Sequence, residues 1–177
     1  VALAQRLRSI YHTVREIDVQ HPVISHVGVG RIQQDAAADV SDDFANAAEV
    51  DFYGTSFGVM NNFTNCLEES MAFLLCDWQR AVNPYFWVYE LYPEYGSWYL
   101  PATVYDFKFR LWAAIAGGCK GIMMWQYRSE RVGCESDQAG LVNIDGSPKK
   151  ITPAATEAAN WIKDHEKFLL QSRVKED

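Results

Sequence analysis

The feature that most constrains this chain is a regular alternation of short strand-like runs with longer helical patterns. The runs begin near residues 22, 48, 84 and 120, at steps of about 26, 36 and 36 residues. Strand-helix-strand crossovers take roughly thirty or more residues, so these steps suit parallel βαβ units. Residues 85–89 (Tyr-Phe-Trp-Val-Tyr) are aromatic or β-branched throughout, as in a strand covered on both faces. Ahead of the first run, Leu3, Leu7, Ile10, Val14 and Ile17 recur at steps of four and three, which predicts an amphipathic helix. Further helices are expected over Leu67 to Val82, over Val104 to Ile115 after Pro101, and after Thr152-Pro153. The last is read as one helix with Ala158, Trp161, Ile162, His165 and Leu169 on its inner face.

This order is α/β with a parallel sheet, in a single domain over residues 1–177. Two architectures compete: a small open sheet, or half of an eight-stranded barrel. A whole barrel needs about 250 residues, so the chain holds only about half of one.

Composition narrows the function. The chain is 49% hydrophobic and 14% aromatic, which excludes disorder. A net charge of −7 offers no basic stripe for phosphates, so nucleic acid is not an expected partner. No apolar run reaches the length of a membrane span. Cys66, Cys76, Cys119 and Cys134 form no CxxC pair, so neither a metal nor another cofactor is expected, and buried free thiols are the default. Gly28-Val29-Gly30 lacks the third glycine of a dinucleotide loop. Aromatic richness with an acidic balance instead suits a carbohydrate partner.

In a parallel sheet, all strand C-terminal ends lie on one face, where barrel enzymes keep their chemistry. That places His26, Tyr53, Glu90 and the run Trp125-Gln126-Tyr127-Arg128 as candidates, with Trp98 and Glu135 on the adjoining loops. Glu90 is either a solvated rim carboxylate or a group buried for a purpose. Arg128 beside it would favour the ionised carboxylate, as a nucleophile requires, or would serve as a structural ion-pair partner. His26 also reads as a near-core histidine, and Trp98 and Trp125 also read as packing. The stretch 55–64, with its glycine and asparagines, is expected as a loop overhanging the site.

Val88-Tyr89-Glu90-Leu91-Tyr92-Pro93 with Trp98 eight residues beyond the glutamate, the run Ala113 to Arg128, and Gly133-Cys134-Glu135 resemble glycoside hydrolase family 42. The resemblance implies strands five to eight of a (β/α)8 barrel in a retaining β-galactosidase. It makes Glu90 the catalytic nucleophile, Trp98 a sugar-stacking wall and Glu135 a binder of galactose hydroxyls. Trp125, Gln126, Arg128, Tyr53 and His26 complete the implied substrate site. The family's aromatic-Gln-Trp-Arg segment stands here as Trp125-Gln126-Tyr127-Arg128, and its Trp-Asp-Ser-Tyr as Tyr53-Gly54-Thr55-Ser56. The family's acid/base glutamate comes after an asparagine at the end of strand four, and no Asn-Glu pair occurs here. The resemblance therefore implies half of a catalytic pair and an isolated chain with little or no activity. The alternatives are another retaining barrel glycosidase, acting on glucosides, mannosides or arabinosides, and a non-catalytic sugar-binding half-barrel that self-associates. Either a missing N-terminal half-barrel or a second copy would close the sheet, and a cytoplasmic location is expected.

Overall fold

The computed structural model describes residues 2–27, 42–57, 65–93, 102–133, 136 and 139–175. Their elements, in chain order, are α1 (Ala2–Arg15), β1 (Ile24–Val27), α2 (Asp43–Ala47), β2 (Phe52–Phe57), α3 (Asn65–Val82), β3 (Trp87–Leu91), α4 (Val104–Ala116), β4 (Gly121–Met124), α5 (Thr152–Asp164) and α6 (Glu166–Gln171). The four strands form one parallel sheet in the order β1-β2-β3-β4. A doubly wound sheet reverses its strand order at a switch point. Here each strand simply pairs with the next, so the architecture is half of a (β/α)8 barrel. No helix among the described residues is long and apolar enough to cross a membrane.

The core lies between the sheet and its helices. Phe57, Val88 and Leu91 meet Leu75 and Cys76 of α3, Phe107 and Leu111 of α4, and Ala155 and Ala158 of α5. The opposite, inner face of the sheet carries Ile24, His26, Phe52, Gly54, Trp87 and Gly121 by register. Trp87 stacks on Phe52 at 5.5 Å and on Tyr89 at 5.8 Å between ring centroids. Its backbone leaves room only for glycine on β2, and its ring only for glycine on β4. A Cβ at Gly54 would stand 2.0 Å from the Trp87 carbonyl oxygen, and one at Gly121 2.2 Å from the indole ring.

Several elements differ from their sequence reading for identifiable reasons. β2 runs on through Thr55, Ser56 and Phe57, which the residue types alone assign to a loop, and all three are buried. Within α3 the buried face is Ala72, Leu75, Cys76 and Gln79, whereas Leu74 and Trp78 are exposed. Small and polar residues hold the inner stripe there, so the largest hydrophobes give the wrong phase. α4 begins not at Pro101 but at a reciprocal cap in which Thr103 and Asp106 satisfy each other's backbone N–H. The final helix breaks at His165 into α5 and α6, leaving Trp161 and His165 outside the core. Thr152 does not cap α5. Its hydroxyl donates to the Leu141 carbonyl instead.

α1 forms as the periodicity predicts, but among the described residues much of its apolar side is uncovered. Arg8 pairs with Glu49 and Arg15 with Asp51, while Leu3, Ile10 and Val14 face outward.

Candidate active site

β3 delivers Glu90 through an irregularity. Strict alternation would turn Glu90 to the same side as Val88, which is fully buried against the helices. The register with β4 pairs Val88 with Ile122 and Leu91 with Met124, so three steps along β3 match two along β4. A bulge of this kind leaves an extra residue and re-aims the side chains beyond it. Val88 and Leu91 can thus both enter the helix-side core, and Glu90 turns to the inner face instead. The pairing with β2 shifts at the same level, bringing Ser56 opposite Glu90.

There the carboxylate meets three side chains. The Ser56 hydroxyl donates to Glu90 Oε2 at 2.6 Å, and the Tyr92 hydroxyl donates to the same oxygen at 3.4 Å. Oε1 lies 3.5 Å from His26 Nε2. One oxygen is therefore held by hydroxyls, and the other faces an imidazole at a strand end that still admits solvent. Behind the site, the fully buried Arg110 donates from Nη1 to the Tyr92 carbonyl oxygen at 3.3 Å, fixing the chain just past the glutamate. Below it, the buried Tyr89 hydroxyl finds no partner among the described residues, and burial raises its pKa above the ordinary phenol value.

The sequence-derived candidates divide into three groups. His26 and Glu90 come together. Tyr53 does not join them. It points into the helix layer, where its hydroxyl and the Trp78 indole N–H each donate to a different oxygen of the buried Asp43, both at 2.9 Å. Alternation along β2 explains this, because Tyr53 and Ser56 are three residues apart and so face opposite sides. Trp125 extends β4 by donating its backbone N–H to Leu91, and its peptide bond to Gln126 is cis. Gln126 is fastened through its backbone to Ala139 and Leu141, and its side-chain Nε2 is buried without a partner among the described residues. Arg128 bridges to Val142 through its backbone while its side chain is exposed. The basic side chain within ion-pair reach of Glu90, among the described residues, is His26 and not Arg128. Trp98 and Glu135 lie outside the described residues, as does Gly28-Val29-Gly30. Sequence reasoning missed Ser56 and Tyr92 as contacts of the carboxylate. The only signal for Ser56 is its position at the end of a strand that runs longer than its apolar pattern.

A half-barrel whose seventh-strand equivalent ends in an inward glutamate narrows the choice of families, and one model settles it. The model of glycoside hydrolase family 42, described as β-galactosidase, matches residues 3–167. The chain belongs to glycoside hydrolase family 42. Solved structures agree on the fold. The family 42 chain is similar to the β-galactosidase of Bacillus circulans sp. alkalophilus (17% identity, TM-score 0.77, 97% of this chain and 25% of that one). It is likewise similar to the β-galactosidase of the Antarctic haloarchaeon Halorubrum lacusprofundi (17% identity, TM-score 0.75, 89% of this chain and 25% of that one). A β-glucuronidase from Ruminococcus gnavus superposes less closely (10% identity, TM-score 0.64, 89% of this chain and 29% of that one). No curated protein matches. The family 42 chain thus spans about a quarter of the length of the β-galactosidases it resembles.

Proposed function

We propose that this chain supplies the nucleophile half of a retaining β-galactosidase site, with Glu90 as the nucleophile. The observation that carries this is the turn of Glu90 onto the inner face at the C-terminal end of β3, with one oxygen held by Ser56 and Tyr92. In this reading the Glu90 carboxylate attacks the anomeric carbon through Oε1 while the bond to the leaving oxygen breaks. A glycosyl ester forms, and an acid protonates the departing oxygen. Water then attacks the same carbon, releasing the sugar and restoring the carboxylate. Retaining enzymes set their two carboxyl groups about 5–5.5 Å apart. We assign the second, acid/base carboxyl to a part of the barrel outside this chain, so the chain alone turns over little or no substrate. Trp98, Trp125, Gln126, Arg128 and Glu135 are proposed to line the sugar site, with His26 beside the reacting oxygen. The family resemblance and the free thiols of Cys76 and Cys119 favour a cytoplasmic location.

The test is trapping with a 2-deoxy-2-fluoro-galactosyl fluoride, then intact mass and peptide mapping, with the rest of the barrel supplied in trans. A single adduct on Glu90, absent from Glu90→Gln, is expected. An adduct on another carboxylate, or undiminished labelling of Glu90→Gln, would remove Glu90 from the role.

A further inference from the structure

Glu90 and His26 stand on strands that do not pair with each other, because β2 runs between β1 and β3. Neighbouring strands are about 4.8 Å apart, so the two side chains have to meet across roughly two spacings. β2 makes room for this. Gly54 pairs with His26 in register and carries no side chain, so the imidazole crosses the inner face above it. Tyr89 enters the same hollow from β3, its Cε2 standing 2.8 Å from where a Gly54 Cβ would be. The His26 and Tyr89 rings lie 6.1 Å apart between centroids, tilted at 57°. Tyr89 is buried and the His26 side chain is 37% exposed, so the imidazole lies on the solvent side of the phenol.

The two oxygens of Glu90 are therefore unequal. Oε2 accepts from Ser56 and Tyr92, while Oε1 faces His26 Nε2 at 3.5 Å. That is within ion-pair reach, but longer than the about 2.7–2.9 Å of a charge-assisted N–H···O bond. A small rotation of the partly exposed imidazole closes the difference. Among the described residues, the titratable groups facing His26 are Glu90 and Tyr89 of β3, with the Tyr92 hydroxyl beyond the carboxylate. β2 presents only Gly54 and Ser56 there, and Ile24, Ser25 and Val27 of β1 carry no charge. The Arg15–Asp51 pair sits at the other end of β1, where Asp51 accepts from the Val23 N–H. Tyr89 keeps its proton, since burial raises its pKa above the ordinary phenol value. The charge that His26 answers to is that of Glu90.

We propose that His26 is a positioning residue acting through Glu90, and that protonation of its imidazole switches the reacting oxygen off. Histidine ordinarily exchanges its proton between pH 5 and 8, a range in which carboxylates are ordinarily ionised. An imidazolium is therefore not needed to ionise the nucleophile. Its N–H instead donates to Oε1 and engages the lone pair that attacks the anomeric carbon. Loss of that proton to water frees the lone pair, while Ser56 and Tyr92 still hold the other oxygen. The inference rests on Glu90 as the nucleophile and adds an acid inhibition of that site built from two strands of this chain.

The test is the rate at which 2-deoxy-2-fluoro-galactosyl fluoride labels Glu90 between pH 5.5 and pH 8, with the rest of the barrel supplied in trans. Fluoride is an activated leaving group, so the rate depends less on the acid/base carboxyl. Dividing each variant's rate by that of wild type at the same pH cancels the titrations both share. His26→Asn and His26→Gln keep a polar side chain that takes up no proton. For each, the ratio is expected to rise at least fivefold from pH 8 to pH 5.5, whatever its value at pH 8. A flat ratio would leave His26 a structural or sugar-binding residue, and a ratio that falls in acid would make it an activator. Either result overturns the proposal while Glu90, still labelled, keeps its role. The chain alone gives a second reading by NMR of ¹⁵N-labelled histidine. Glu90→Gln is expected to displace the His26 Nε2 resonance more at pH 5.5 than at pH 8, and equal displacement at both also overturns the proposal. Absence of label from Glu90 at every pH is the separate failure of the nucleophile assignment, and the switch falls with it.

Discussion

A hydrogen bond to a charged group contributes about 1.5–3 kcal/mol, and the one from Ser56 to Glu90 Oε2 is among the shortest in the site. Ser56→Ala is therefore expected to slow labelling of Glu90 by the fluorinated sugar about 10- to 100-fold in the completed barrel, with Ser56→Thr retaining most of the rate. An unchanged rate in Ser56→Ala would mean that the hydroxyl does not hold the reacting carboxylate. Tyr53 acts in the opposite direction, away from the site. Removing its hydroxyl in Tyr53→Phe leaves one oxygen of the buried Asp43 with one donor fewer, a loss of about 1–3 kcal/mol. Urea denaturation should show that loss, while the labelling rate of the remaining folded protein stays the same. Glu90 was legible from its place after an apolar run, because burying a carboxylate needs a reason. Ser56 was not, since a small hydroxyl residue carries no periodicity and its partner lies 34 residues away.

At the level of elements, the turn from α1 into β1 has a measurable pH signature. Asp18 accepts from the backbone N–H and ring of His21 and from the backbone N–H of Gln20. Those bonds, the His21 backbone one foremost, hold its carboxyl down to about 2 from an ordinary value of 3.8. A carboxyl depressed in the folded state adds stability above its unfolded value, and this is lost as pH falls through the folded value. The difference in urea midpoint between the wild type and Asp18→Asn should therefore be constant near neutrality and shrink between about pH 4 and pH 2. A gap undiminished at pH 2 would place the effect elsewhere. The strands were readable because aromatic and β-branched runs suit a sheet covered on both faces. The α3 phase was not, because Ala72, Cys76 and Gln79 hold a buried stripe without hydrophobic bulk. The break at His165 leaves no mark in the pattern either, since the apolar spacing continues through it while the backbone does not.

For the whole molecule, the exposed inner face is a liability. Ile24 and Met123 lie on a four-stranded parallel sheet with two free edges among the described residues, the combination that promotes non-specific association. Concentration-dependent light scattering by the isolated chain is expected to fall in Ile24→Lys/Met123→Lys. Leu111, fully buried on the inner side of α4, offers the contrasting case, because Leu111→Ala should cost about 2–5 kcal/mol of stability without lowering the scattering of the native state. Half-barrel architecture was within reach of the sequence because strand spacing and chain length both limit it. Which surfaces it leaves open was not, since periodicity shows that a helix has an apolar side but never whether anything lies against it.

The bulge between Val88 and Leu91 also bears on how such chains diverge. Val88 and Leu91 face the helices, with Tyr89 and Glu90 both between them. Losing the codon for Tyr89 would leave a strictly alternating strand in which the glutamate still faces inward. Length at this one point is therefore free to drift by a residue while the carboxylate keeps its side. Homologues with this strand one residue shorter should be sought among hydrolases, and a gap placed just ahead of the glutamate is no sign of a lost enzyme. Loss of Glu90 itself would carry the opposite meaning.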